Sequence, residues 1–166
     1  MKPTVLIPHR RYTKGLLRLL SVLSSWPILV VDDTDDGLDL DVPRVRLGGG
    51  QGFARAVNYG LEHITSSHVI LLNDDALPLG DCLDRLQTAG GLCGPVLVGP
   101  AGVESCGLKV HSWGRIHQDT VVPLLDQPVE ALSGACLHMP ASLRLDPAFL
   151  HGFEDIELCR RQGGAR

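Results

Sequence analysis

Apolar residues along this chain fall into short uninterrupted runs that end in polar residues, separated by stretches in which leucine and alanine recur at helical spacing. Thr4 to Ile7 is a β-rich run closed by Pro8, and Leu16, Leu17, Leu19, Leu20 and Leu23 then repeat with helical period before Pro27, which predicts strand then helix. Ile28 to Val31 is too short for a helix and is bracketed by Pro27 and the acidic cluster Asp32, Asp33, Asp35 and Asp36, as expected of a buried parallel strand. Val42 to Leu47 predicts a third strand. After it, GGGQG precedes FARAVNYGLEHI, in which Phe53, Ala56, Val57, Tyr59 and Leu61 form a helical stripe. His68 to Leu72 is the next buried strand and ends in Asn73, Asp74 and Asp75. The second half is less regular: a helix around Asp81 to Thr88, Gly- and Pro-rich segments through Asp126, a strand near Ala131 to Met139, and a last helix starting near Glu154.

Strands alternating with helices in this way predict an α/β fold: one Rossmann-like domain over residues 1–166, with a mostly parallel central sheet flanked by helices. Ligands of such a sheet sit beyond the carboxyl ends of its strands, and both acidic clusters fall at such ends. With 166 residues, 44% of them hydrophobic, the chain can bury one substantial core and is short for two.

Charge and cysteine content narrow the function classes. A net charge of −4 argues against a nucleic-acid binder with a broad basic surface. No run approaches the roughly 18 to 20 apolar residues of a membrane span, and the N-terminal apolar stretch is too short for a signal peptide. The five cysteines, Cys82, Cys93, Cys106, Cys136 and Cys159, are odd in number and contain no C-x-x-C pair. They are expected to be reduced packing residues of a cytoplasmic protein.

Four constellations could carry chemistry, and each has a plainer structural reading. Asp32 and Asp33 close a strand where a polar turn would be unremarkable; but four carboxylates within five residues repel one another, a cost offset when donors such as a nucleotide base or ribose hold them. Asn73, Asp74 and Asp75 are either a turn or a set of hard oxygen ligands suited to Mg2+ or Mn2+ together with substrate phosphates. Gly48 to Gly52 could present amides to an anion at a helix N-terminus, although no P-loop or dinucleotide fingerprint is present. Arg55 and Asn58, three apart on the following helix, share a face and either meet one ligand or serve as a solvated arginine and a packing asparagine. Glu154 and Asp155, in the first turn of the last helix, are either a complement to the helix dipole or a rigidly held general base.

In order, VLIP, VVDD, GQGFARAVNYGL, VILLNDDA, LSGACLHMPASL and FLHGFEDIELCRR resemble the family 2 glycosyltransferases of the GT-A fold, especially their bacterial rhamnosyltransferase-like branch. The resemblance covers nearly the whole chain. It implies that Pro8, Asp32, Asp33, Arg55, Asn58, Asn73 and Asp74 border the nucleotide, with Asp33 accepting from base or ribose. Asp75 would bind Mn2+ or Mg2+ bridging the donor diphosphate. Gly134 and Ala135 would form the turn beneath donor sugar and acceptor, with His151 a further acceptor-site residue. Asp155, beside Glu154, would deprotonate the acceptor hydroxyl, with inversion as the outcome.

The departures from the family pattern bear on this reading. Asn73 replaces the first acid of the usual triplet, leaving fewer charged ligands. His138 is expected to be a packed or surface residue, not a catalytic one. The chain stops about one helix after the Glu-Asp motif, where the family continues with elements that close the donor site, bind acceptor or reach the membrane. Two readings from different classes therefore stand: a minimal glycosyltransferase using a UDP- or dTDP-sugar and an unknown acceptor, and a nucleotide-sugar-binding module that needs a partner for activity. A nucleotidyltransferase would show a Gly-rich signature after the first strand, which IPHRRYTKG lacks. Apolar surface left by the short chain would be covered by a second copy, so a homodimer is the expected assembly.

Overall fold

The computed structural model describes residues 2–150 and 152–166. Its centre is a five-stranded sheet made of β1 (Thr4–His9), β2 (Ile28–Asp32), β3 (Arg44–Arg46), β4 (His68–Leu72) and β9 (Cys136–Pro140), in the order β3-β2-β1-β4-β9. Four of these strands are parallel. The register pairs His9 with Asp32, Asp32 with Arg46 and Leu6 with Leu71, so the carboxyl ends of β1, β2 and β4 lie along one edge. The fifth, β9, runs antiparallel to β4 and brings its start, Cys136, opposite Leu72 at that same edge.

The apolar runs are continuous because both faces of the sheet are covered. On one face Val5, Ile7, Val30 and Ile70 pack against Leu16, Leu19 and Leu23 of the α1 region (α1, Thr13–Val22) and Leu83 and Leu86 of α3 (Cys82–Ala89). On the other, Leu6, Val31, Val69 and Leu71 meet Ala54, Ala56, Val57 and Leu61 of α2 (Phe53–Leu61) and Ile156, Leu158 and Cys159 of α4 (Glu154–Arg161). α2 lies hard against the sheet at Gly60, where an added Cβ would come within 2.5 Å of Leu6 Cδ1 and 2.6 Å of Val31 Cγ2.

The expected α/β architecture, a mostly parallel sheet with helices on both faces, is therefore the one observed. The second half adds detail that the hydrophobic pattern did not reveal. Two small antiparallel hairpins, β5 (Leu97–Gly99) with β6 (Gly102–Ser105) and β7 (Leu108–Val110) with β8 (Ile116–Gln118), occupy the segment expected to be irregular. The strand expected over Ala131 to Met139 begins at Cys136; Ala131 instead bridges to Leu108. Strand order runs outward from β1 through β2 to β3 and then resumes with β4 on the other side of β1. The crevice between the ends of β1 and β4 is thus the topological switch point where such sheets bind ligands.

Candidate functional site

The rim is built from the residues that end β1, β2 and β4, the turn leading into β9, and the first turn of α4. At the end of β2 two adjacent acids separate by task. Asp32 is buried, and its carboxylate accepts from Thr34 N (3.0 Å), Thr34 Oγ1 (2.6 Å), Leu38 N (2.8 Å) and Arg46 Nη1 (3.4 Å). Burial pushes this carboxyl up, but the bonds from Thr34 and Leu38 and the Arg46 charge outweigh it and hold it below the usual carboxylate range. Asp32 is therefore a staple for its own loop. Asp33 reaches the other way, its Oδ1 accepting from Gln51 N at 3.1 Å.

That bond ties β2 to the glycine stretch, where Gly48, Gly49 and Gly50 all have left-handed φ of 71°, 81° and 66°. The amides of Gly48, Gly50 and Gln51 turn inward onto Asp32 O, Asp33 O and the Asp33 carboxylate, so the stretch closes on itself instead of offering those amides to an anion. Arg10, which sequence reasoning passed over, clamps the loop. Its guanidinium donates to Asp33 O (2.7 Å) and in bidentate fashion to Asp35 (2.9 and 3.1 Å), and it sits where a Cβ on residue 50 would stand 2.7 Å away.

Pro8 lies within β1, one residue before the buried His9. In the β4 turn, Asn73 N donates to Ala135 O (3.0 Å) and Ala76 N to Asn73 O (3.1 Å), while the Asp74 carboxylate lies 2.5 Å from His9 Nδ1. Asp75 is exposed. The Ser133 to Ala135 turn joins this loop to α4: Gly134 N donates to Asp155 Oδ2 at 2.6 Å, and Ile156 N to Asp155 Oδ1 at 2.8 Å. Glu154 is buried whereas Asp155 is half-buried, so Asp155 is the acid of the pair that a ligand can reach. Just before them Phe153 is half exposed with φ of 73°, the one non-glycine in the left-handed region among the described residues. His151 lies outside the described residues.

Arg55 is exposed and bonds at 3.5 Å to Gln51. Asn58 is a structural tether: its Nδ2 donates to Leu145 O (2.8 Å) and its Oδ1 accepts from Leu145 N (2.9 Å), which uses the amide's best donor and acceptor on the backbone. Of the two places open to His138, packed or at the surface, the structure shows the packed one, with Nδ1 donating to Gly91 O (2.8 Å) and the ring stacked on His68; burial lowers its pKa. All five cysteines are free, and burial pushes every thiol up, Cys159 to about 11, so none is poised as a nucleophile. No group of three or more His, Cys, Asp or Glu side chains poised for a metal ion occurs among the described residues, and no helix among them is long and apolar enough to cross a membrane.

No family model matches the chain. The pre-mycofactocin glycosyltransferase of Mycobacterium tuberculosis is 29% identical over 98% of this chain, which spans 40% of that protein's length. Among solved structures, S. aureus TarS superposes with a TM-score of 0.60 at 15% identity, over 95% of this chain and 32% of TarS. TarS 1–349 in complex with UDP-GlcNAc also gives 0.60 at 15% identity, over 95% of this chain and 52% of that one. The likenesses to solved structures are of fold, and the fold is the α/β architecture of GT-A glycosyltransferases.

Proposed function

We propose that this chain is the donor-binding and catalytic module of a nucleotide-sugar-dependent glycosyltransferase of family 2 type, acting with inversion. One observation carries the reading. A continuous path of short hydrogen bonds, Asn73 N to Ala135 O and Gly134 N to Asp155 Oδ2, fixes the acidic β4 turn and the Asp155 carboxylate relative to each other at the rim of the switch-point crevice. A glycosyl transfer needs these two features side by side, one to hold a diphosphate and one to take a proton. The 29% identity to a glycosyltransferase over nearly the whole chain supports the same reading.

In this mechanism the donor nucleotide lies over the end of β2, with Asp33 accepting from base or ribose and Arg55 at the entrance. The diphosphate lies over the β4 turn. The donor set there, the exposed Asp75 beside Asn73, is hard and sparse, which fits Mg2+ or Mn2+ taking most of its oxygen ligands from diphosphate and water. When bound, that ion would neutralise charge on the departing nucleoside diphosphate. Gly134 and Ala135 leave room for the sugar because neither carries a bulky side chain. Asp155, its carboxylate oriented by the two amides, removes the proton from the acceptor hydroxyl; the new bond forms at the anomeric carbon as the sugar–phosphate bond breaks on the opposite face. The rhamnosyltransferase-like motifs favour a UDP- or dTDP-deoxysugar as donor. The free thiols suit a reducing, cytoplasmic setting.

Asp155→Asn tests the assignment. Removing a general base costs roughly 10²- to 10⁴-fold in turnover, while donor affinity, which does not involve Asp155, stays near wild type. Turnover retained by Asp155→Asn removes it as base. Donor binding without any transfer by the wild-type chain would favour the rival reading, a nucleotide-sugar-binding module without catalysis.

A further inference from the structure

The crevice between β1 and β4 is bridged by a side-chain pair that the transfer reaction described above leaves unused. His9, the last residue of β1, is fully buried in its side chain, and its Nδ1 lies 2.5 Å from Asp74 Oδ2, in the middle of the β4 turn. A carboxylate only accepts, so the imidazole proton sits on Nδ1 and is donated to Asp74. Nε2 faces Thr13 Oγ1 at 3.5 Å, at the first residue of α1. α1 passes close to the turn at Gly15, where an added Cβ would stand 2.0 Å from the Tyr12 ring and 2.7 Å from the Asp74 carbonyl oxygen.

The turn is thus fastened at every residue except one. Asn73 is fixed through its backbone to Ala135 and Ala76, and Asp74 through its carboxylate to His9, while Asp75 alone is exposed. Two adjacent carboxylates on an unfastened turn would repel each other and compete for one cation in the wrong geometry. The imidazole removes one of them from that competition.

We propose that His9 is a positioning residue of the donor site: by holding Asp74 against the end of β1 it turns Asp75 alone toward the metal–diphosphate, so the site has one carboxylate in one orientation. This rests on the reading of the β4 turn as the diphosphate site. The donor on His9 acts through geometry and touches neither nucleotide nor sugar.

The test is calorimetric titration of UDP, with and without Mn2+, into the wild-type chain and into His9→Leu, His9→Asn, Asp74→Ala, Asp74→Asn and Asp75→Ala, with a thermal melt of each. Loss of a group that orients a ligand costs roughly 10- to 100-fold in affinity. His9→Leu and Asp74→Ala should both lose Mn2+-dependent affinity on that scale. His9→Asn, whose amide can donate where Nδ1 did, should restore much of it, which a merely structural role for His9 would not produce. Asp74→Asn, which still accepts from His9, should lose less than Asp75→Ala. Should His9→Leu fail to fold, Asp74→Ala breaks the same contact from its more open side. Wild-type affinity in both His9→Leu and Asp74→Ala overturns the proposal, as does an Asp74→Asn loss equal to that of Asp75→Ala, which would make Asp74 a direct ligand. Failure of the wild-type chain to bind any of UDP, dTDP, GDP and ADP, with or without Mn2+, overturns the donor-site reading itself and is distinguishable from both; should dTDP bind and UDP not, the same variants are titrated with dTDP.

Discussion

Replacing Asn58 by alanine separates a structural tether from a ligand contact. The Asn58 amide makes two bonds to the backbone of Leu145, 2.8 Å from Nδ2 to the carbonyl and 2.9 Å from the amide to Oδ1, and Leu145 is itself buried at 2% exposure. Truncation leaves a buried N–H and a buried C=O without these partners. Each unsatisfied group costs about 1–3 kcal/mol, and with partial relaxation the pair should cost roughly 2–4 kcal/mol. For a domain of this size that is a fall of roughly 4–16 °C in Tm. Chemical denaturation with a two-state fit gives the stability, and titration of UDP with Mn2+ at a temperature where the variant remains folded gives the affinity. The expected result is a large loss of stability with donor affinity nearly unchanged. A variant that unfolds like wild type but no longer binds nucleotide would refute the argument and return Asn58 to the donor site.

Other perturbations test other parts of the account. Gly60→Ala should be net destabilised by about 1–2 kcal/mol despite its better helix propensity, because the new methyl meets the fully buried Leu6 and Val31 at about 2.5 Å; a raised melting midpoint would show that α2 is less tightly seated. The lowered pKa of buried His138 means that the unfolded chain binds the proton more readily than the folded one. Stability from this group is therefore full above the ordinary histidine pKa of about 6.5 and is lost as pH falls below it; thermal melts between pH 5 and 8 should show that slope, and His138→Asn should flatten it.

Much of the fold was legible because a strand buried on both faces must be apolar throughout and must end where polar residues begin. Ile28 to Val31 before Asp32, and His68 to Leu72 before Asn73, have that signature and lie where the pattern put them. The direction of β9 was not legible, since LHMP within a buried strand reads the same parallel or antiparallel. The hairpins between Leu97 and Gln118 escaped because their strands are three or four residues long and half exposed, too short for a period to register.

The site was legible as places more than as roles. Acids at strand ends marked the rim, but strand alternation sends Asp32 into its own loop and Asp33 toward the glycine stretch, and nothing in VVDD says which is which. The bond that Asn58 makes was not legible because its partner is 87 residues away. His9 and Arg10 left a signal that went unused: two polar residues at the end of a strand too apolar to be exposed must find partners nearby, and the neighbouring strand ends supply Asp74, Asp33 and Asp35.

The central claim, that the rim of this sheet is a donor site, is tested most directly by calorimetric titration of the chain with UDP, dTDP, GDP and ADP, each with and without Mn2+. The account predicts selective binding of a pyrimidine nucleotide, UDP or dTDP, that is strengthened by Mn2+ and loses that dependence in Asp75→Ala. Absence of binding by all four, or equal affinities indifferent to the metal, would contradict it.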